Sequence, residues 1–423
     1  MRCKFLVVSL FMSISVALSY GQSSNGHLRI VFAGDLMGHM PLHNAARQPD
    51  GTYDYSPCFQ YVRDYIQSAD LAVINLEVTL AGRPYTGFPC FSAPDALAGA
   101  AQEAGFDIFA TANNHCVDKG KKGLERTIYV LDSLEVGHLG TYRTMEERLG
   151  EHPLIVQRNG IRLALLNYTY GTNGITVRHP NVVNVIDTVM MLRDLETAQR
   201  KNADFVIAIM HWGVEYQKHS NKEQAQVARW LFDHGCDAVI GAHPHVVQNL
   251  TIDANPDNDR YPELVIYSMG NFLSNQHDEG SDGGIMFELE LHKQGRETKI
   301  YSCAYMPFYV HRAVVDGRRQ YHLVPTSDAL AYPDSYGISA ATLSQIRRFD
   351  KEIHRLLAEK QPVCQGYRIP ERRFYDNKRP LSPCLYAGYY LGYGYPLSGT
   401  PLGQPAWRRP VLQGIVPLGG RVR

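Results

Sequence analysis

"AVIGAHPHVV" (residues 238–247) joins two kinds of chemistry without a linker. Ala238 to Ala242 are small or apolar throughout, and such a run suits a strand buried on both faces. His243 and His245 follow at once, on either side of Pro244. If the strand continues, residues i and i+2 share a face, and the proline restricts the backbone between them. Two imidazoles would then be presented together, and neutral imidazole is the commonest nitrogen ligand of divalent transition metals. A histidine pair at this spacing also arises by chance, so its meaning depends on the rest of the chain.

The same construction recurs. "LRIVFAGD" (28–35), "LAVINLE" (71–77), "FDIFATANNH" (106–115), "IRLALLNYTYG" (161–171), "FVIAIMHWG" (205–213) and "LVIYSMGNF" (264–272) each read as a buried strand. Between them lie helical patterns. One places Leu124, Ile128, Leu131 and Leu134 on one face, and another, over 222–234, does so with Val227, Trp230 and Leu231. This alternation predicts a layered α/β domain. Asp35, Glu77, Asn114, His115, His211, His243 and His245 all fall just past a predicted strand. Strand ends are where ligand-binding residues of α/β architectures converge.

Each of these residues has a plain reading beside the chemical one. Asp35 follows Gly34, which lets the backbone turn tightly, and a lone aspartate there is usually a turn cap. Glu77 reads as a bridging carboxylate or as a solvated strand end. Asn114 is a metal ligand or a turn residue, and His115 a ligand neighbour or a general acid. His211 after an apolar run is commonly a satisfied core histidine. Trp212 either stacks on a ligand or closes the rim of the core. Taken together, two carboxylates, an Asn-His pair and three more histidines predict a metal cradle. Mixed oxygen and nitrogen donors suit one or two divalent ions of the Mn, Fe or Zn class, or Co, rather than Ca²⁺.

Composition sets outer bounds. The chain has 423 residues, 44% apolar and 20% charged, with 42 Lys plus Arg against 42 Asp plus Glu. No bulk field favours nucleic acid, and an anionic ligand would need a local site. Residues 1–21 read as a signal peptide, with Arg2 and Lys4 before an apolar run from Phe5 to Ser19. An exported protein, periplasmic or at the cell surface, is expected, with an uncleaved N-terminal membrane anchor as the alternative. Seven cysteines would remain, without a spacing that assigns pairs, and no C-x-x-C zinc motif is present. Residues 286–293 alternate apolar and polar, and a helix is expected near 339–360. The 379–423 tail, with seven Pro and eight Gly, reads as disordered or loosely docked.

The order GD (34–35), NLE (75–77), NNH (113–115), HWG (211–213), GAHPHV (241–246) and GNF (270–272), with "NYTYGTNG" (167–174), resembles the poly-gamma-glutamate capsule synthesis proteins of the CapA type. The resemblance covers roughly residues 28–290. That family in turn is similar to the calcineurin-like metallophosphoesterases. The resemblance therefore implies a four-layer α/β/β/α sandwich of metallophosphatase type, and the domain is expected to run over 28–335, with a helical extension (336–378) and the tail read from spacing and composition. It implies metal ligation by Asp35, Glu77, Asn114, His211, His243 and His245, with His115 catalytic. One departure stands out: Asp35-Leu36-Met37 replaces the Asp-x-His that opens those sites, and Met37 is a poor ligand for hard cations. His39 would substitute if the loop bends back.

The functional expectation is a metal-dependent hydrolase acting on an anionic polymer or its precursor, as part of a membrane-associated biosynthetic complex. Tyr170, Thr172, Asn173 and Trp212 would line the substrate path, although 170–173 equally reads as a polar turn. The rival expectation is a non-catalytic protein that binds or exports the polymer around a structural metal.

Overall fold

The computed structural model describes residues 25–253, 262–315 and 317–358. The expected signal peptide, the residues after 358 and the Pro/Gly-rich tail lie outside that set. In chain order the strands are β1 (Gly26–Leu36), β2 (Leu71–Leu76), β3 (Ile108–Ala110), β4 (Gly137–Leu139), β5 (Thr141–Tyr142), β6 (Leu154–Arg158), β7 (Ile161–Thr169) and β8 (Val182–Val183). They continue with β9 (Phe205–His211), β10 (Ala238–Ala242), β11 (Leu250–Asp253), β12 (Glu263–Ile266), β13 (Asn271–Leu273), β14 (Gly283–Gln294), β15 (Glu297–Val315) and β16 (Arg318–Pro325).

Two large sheets result. The first has the order β16-β15-β14-β1-β2-β3-β4, with β13 added beside the end of β1, and the second runs β11-β12-β10-β9-β7-β6. Strands β1 to β4 are mutually parallel, and so are β7, β9, β10 and β12. Period-2 alternation distributes their side chains. Leu28, Ile30, Phe32, Leu71 and Val73 of the first sheet share one core with Leu163, Leu165, Ile207, Ile209 and Ile240 of the second. The opposite face of the first sheet, with Val31, Ala33, Ala72 and Ile74, packs on helix Ala96–Ala104 through Leu97, Ala98 and Ala101. The opposite face of the second, with Val206, Ala208, Met210 and Val239, packs on helices Thr188–Arg200 and Lys222–Asp233. The mixed α/β class read from the sequence stands.

Two sequence readings need correction. "LVIYSMGNF" is two strands in different sheets: β12 pairs with β10, and β13 pairs with β1. The chain crosses between sheets over Tyr267 to Gly270, where Gly270 adopts φ +74°, a conformation that favours glycine. Only Ile108 to Ala110 of "FDIFATANNH" is strand, since the Asn-His segment has left the sheet. The alternating strand expected at 286–293 is part of β14. Glu288 and Glu290 are buried, Glu288 against the Arg29 guanidinium (2.6 Å) and the Tyr65 hydroxyl (3.0 Å).

The expected C-terminal helix runs Ala340–Ala358. Its Ile346, Phe349, Ile353, Leu356 and Leu357 enter the core shared by the two sheets. This segment therefore completes the domain instead of extending from it. No helix among the described residues is long and apolar enough to cross a membrane. Among the described residues, Cys58, Cys90, Cys116 and Cys236 form no disulfide.

Candidate metal centre

The parallel strands of both sheets deliver polar residues to one buried space. On β2, Asn75 and Glu77 continue the inward parity of Leu71 and Val73, and on β9, His211 continues that of Phe205, Ile207 and Ile209. Asp35 arrives differently. By simple alternation from Leu28, Ile30 and Phe32, it would point away from the second sheet. The β1–β2 register instead shifts between Ala33 and Asp35, leaving Gly34 as a bulge that re-aims the carboxylate. Gly34 has room for no side chain, because a Cβ there would lie 1.9 Å from the Gly270 carbonyl oxygen. The tight turn expected at Gly34 is thus a bulge under close backbone approach.

His243 and His245 are brought together, but not as an extended pair. Their φ angles are +98° and +61°, so the chain leaves β10 through two left-handed residues around Pro244. Such conformations are costly for non-glycine residues and collect at functional sites. Their ring centroids are 5.9 Å apart.

Glu77, His243 and His245 each offer a donor atom within 4.8 Å of the others, as do Asp35, Glu77 and His211. Glu77 belongs to both groups. It is fully buried, and neither carboxylate oxygen has a hydrogen-bond partner among the described residues. Its pKa is raised well above the usual range by burial and then by the charge of Asp35. His243 Nδ1 is likewise buried without a partner. Burial, reinforced by His243 and His245, holds His211 well below its ordinary pKa, and burial beside His245 lowers His243 to about 3. Buried imidazoles and a buried carboxylate without hydrogen-bond partners are costly on their own. They are the donor set that a divalent transition ion accepts.

Around this core, Asp35 Oδ2 lies 3.1 Å from His245 Nδ1 and also accepts the His243 backbone N–H (3.3 Å). Asn75 Nδ2 donates to Asp35 Oδ1 (2.7 Å) and sits 3.3 Å from His211 Nδ1. His211 Nε2 meets the Asn114 amide oxygen at 2.8 Å and Glu77 at 3.5 Å. His115 is buried beside these residues. Its Nδ1 lies 2.8 Å from Asp118 Oδ2, which also accepts the Phe91 N–H, and its ring meets Phe91 edge-on at 4.7 Å. Asn75, Asp118 and Glu215, whose carboxylate stands 3.9 Å from His245 Nε2, were missed in the sequence. Strand parity with Glu77 would have found Asn75; the i, i+3 spacing from His115 was the only signal for Asp118.

The remaining expected residues divide. Tyr170, 47% exposed, covers His243 at 4.6 Å and stacks parallel to His211 at 6.4 Å. Asn173 accepts the Asn114 Nδ2–H (3.2 Å) from a left-handed turn. Thr172 spends its hydroxyl on the Ile175 carbonyl (2.7 Å), the polar-turn alternative. Trp212 is not presented to the site. Its parity is that of Val206, Ala208 and Met210, it is 2% exposed in the outer core, and its indole N–H donates to the Tyr267 carbonyl. Met37 is buried in the outer core of the first sheet, away from the donor groups. His39 caps the helix Met40–Ala46, and its Nδ1 accepts the Asn275 N–H (3.3 Å). Burial, with His245, His43 and His115 nearby, lowers its pKa to about 4.

The family model described as bacterial capsule synthesis protein PGA_cap matches residues 29–276. Among curated proteins, the chain is 26% identical over 284 residues to the capsule biosynthesis protein CapA of Bacillus anthracis, covering 64% of this chain and 66% of that one. It is 24% identical over 284 residues to the PGA biosynthesis protein CapA of Bacillus subtilis (strain 168), covering 64% and 70%. The match to the first relative thus spans just under two thirds of that protein. Among solved structures, the Haemophilus influenzae NAD nucleotidase is 13% identical, covering 79% of this chain and 61% of that one, at a TM-score of 0.45.

Proposed function

Because this chain belongs to the bacterial capsule synthesis protein PGA_cap family, we propose that it is an exported, metal-dependent hydrolase acting on an anionic capsule-type polymer or its precursor, in a membrane-associated biosynthetic complex. The observation that carries the reading is Glu77, a fully buried carboxylate with two unpartnered oxygens shared by two ligand groups. Asp35, Glu77, His211, His243 and His245 would hold the metal, with Asn114 beside His211. When bound, such an ion polarises a phosphoryl or acyl oxygen and lowers the pKa of a water. Asp118 holds His115 by Nδ1, which leaves Nε2 as the nitrogen that gives a proton to the leaving group. Tyr170 walls the histidine side, and Asn173 fixes the Asn114 amide.

A second reading, a non-catalytic polymer-binding or export factor with a structural metal, is favoured by Met37 lying in the outer core where a ligand is expected. Elemental analysis of the purified protein and of the His243→Ala/His245→Ala variant tests the site. Loss of bound metal in the variant is expected, and unchanged content overturns the site. A substrate screen with metal restored then separates the two readings: turnover of phosphodiesters, nucleotides or γ-glutamyl peptides that is lost in His115→Ala supports the hydrolase. Polymer binding without turnover supports the second reading.

A further inference from the structure

Away from the metal centre, a cleft of about 480 Å³ opens between helix Met40–Ala46 and the β15–β16 hairpin. Pro41, Asn44, Arg47, Gln48, Arg318 and Arg319 line it. We propose that this cleft binds a run of carboxylates, holding an acidic polymer while another part of the same molecule occupies the metal centre. The proposal rests on the capsule-polymer reading above and names where the polymer is gripped.

Charge is the first argument. The chain as a whole is neutral, with 42 cationic and 42 acidic side chains, so three guanidiniums on one cleft are a local excess. Four arginines elsewhere are matched to carboxylates: Arg29 to Glu288, Arg126 to Asp95, Arg148 to Asp194 and Arg312 to Asp282. No carboxylate is among the described residues that line the cleft, and Arg47 and Arg318 make no ion pair among the described residues. A guanidinium fork matches carboxylate geometry with two parallel hydrogen bonds.

Shape is the second. Pro41 and Pro49 stiffen the wall, the Arg47–Tyr53 backbone bridge fixes its turn, and Gln48 is tied to the Ala46 carbonyl (3.0 Å). The backbone that carries Arg47 is therefore fixed before a ligand arrives. No aromatic side chain is among the described residues that line the cleft, and these offer no stacking surface for nucleobases.

Position is the third. His39, the N-cap of the same helix, lies within electrostatic reach of His245 and His115, whereas Arg47 caps its other end. Seven helical residues rise about 10 Å. The cleft and His39 thus lie toward opposite ends of one short helix.

Fluorescence anisotropy with a labelled glutamate oligomer tests the cleft, using the full chain and the Arg47→Gln/Arg318→Gln/Arg319→Gln variant. Unlabelled glutamine oligomer and polyphosphate serve as competitors, and metal content and circular dichroism are read on both proteins. The variant is expected to bind about tenfold more weakly, with a shallower salt dependence and with metal content and folded signal retained. Equal affinity in the variant, equal competition by the glutamine oligomer, or no binding by the parent chain overturns the proposal. Stronger competition by polyphosphate than by free glutamate oligomer overturns the carboxylate assignment. Metal content is read independently, so loss of the metal-centre reading and loss of this one are separate results.

Discussion

His43 shows how a single buried residue sets a property of the whole protein. Its Nδ1 meets the Tyr55 hydroxyl at 2.7 Å, and its Nε2 is buried without a partner. Burial lowers its pKa from 6.5 to about 4. Between those values the unfolded chain binds a proton that the folded chain refuses, so stability rises with pH across the window. As pH falls from 6.5 toward 4, this group alone costs the fold about 3 kcal/mol. Urea unfolding at neutral pH and at pH about 4.5 is expected to show a smaller acid loss in His43→Phe than in the parent. An identical pH slope would show that the residue contributes nothing. At the same scale, the members of the candidate donor groups were legible: Asp35, Glu77, His211, His243 and His245 each stand at or just past a strand end. The left-handed backbone at His243 and His245 was not, because sequence spacing carries no φ angle.

At the scale of the element, parity decides what faces the site. β9 sends His211 inward and Trp212 outward with the same alternation that buries Ile209 and Met210 on opposite faces. That alternation was present in the sequence and was sufficient to remove Trp212 from the substrate path. β1 breaks its own alternation at Gly34, and the break is what aims Asp35 at His245. Gly34→Ala places a methyl 1.9 Å from the Gly270 carbonyl oxygen, so β1 and the crossover must separate. A loss of about 3 kcal/mol is expected in denaturant unfolding, together with reduced bound metal. Wild-type metal content in a folded Gly34→Ala protein would show that the bulge does not position Asp35. Helix Lys222–Asp233 illustrates local consistency of the ordinary kind. Asn221 and Gln224 form a capping box, and Gln224 also reaches Gln248, which holds the carbonyls of Gln217 and His219 in the loop after Glu215.

For the molecule as a whole, the decisive feature is one core shared by two sheets. Helix Ala340–Ala358 closes that core with five buried apolar side chains, and Phe349 meets Tyr309 edge-on at 5.7 Å. Phe349→Ala is expected to cost about 3–5 kcal/mol in global unfolding, as for other buried aromatics. A cost near zero would make the helix an appendage. Its apolar spacing revealed the helix, but spacing does not say which surface receives it.

The sequence by itself determined the strands, the helical faces and the location of chemistry at strand ends, because burial periodicity and residue type are local properties of the chain. It also carried the family, through motifs that keep their order. The tertiary structure decided what depends on contacts between distant segments. The crossover at Gly270 splits one apolar run between two sheets, the Gly34 bulge turns Asp35 toward residues more than 200 positions away, and the second sheet supplies the histidines that leave Glu77 buried between two ligand groups. Those outcomes follow from which backbones approach one another in three dimensions, and no window of the sequence contains both partners.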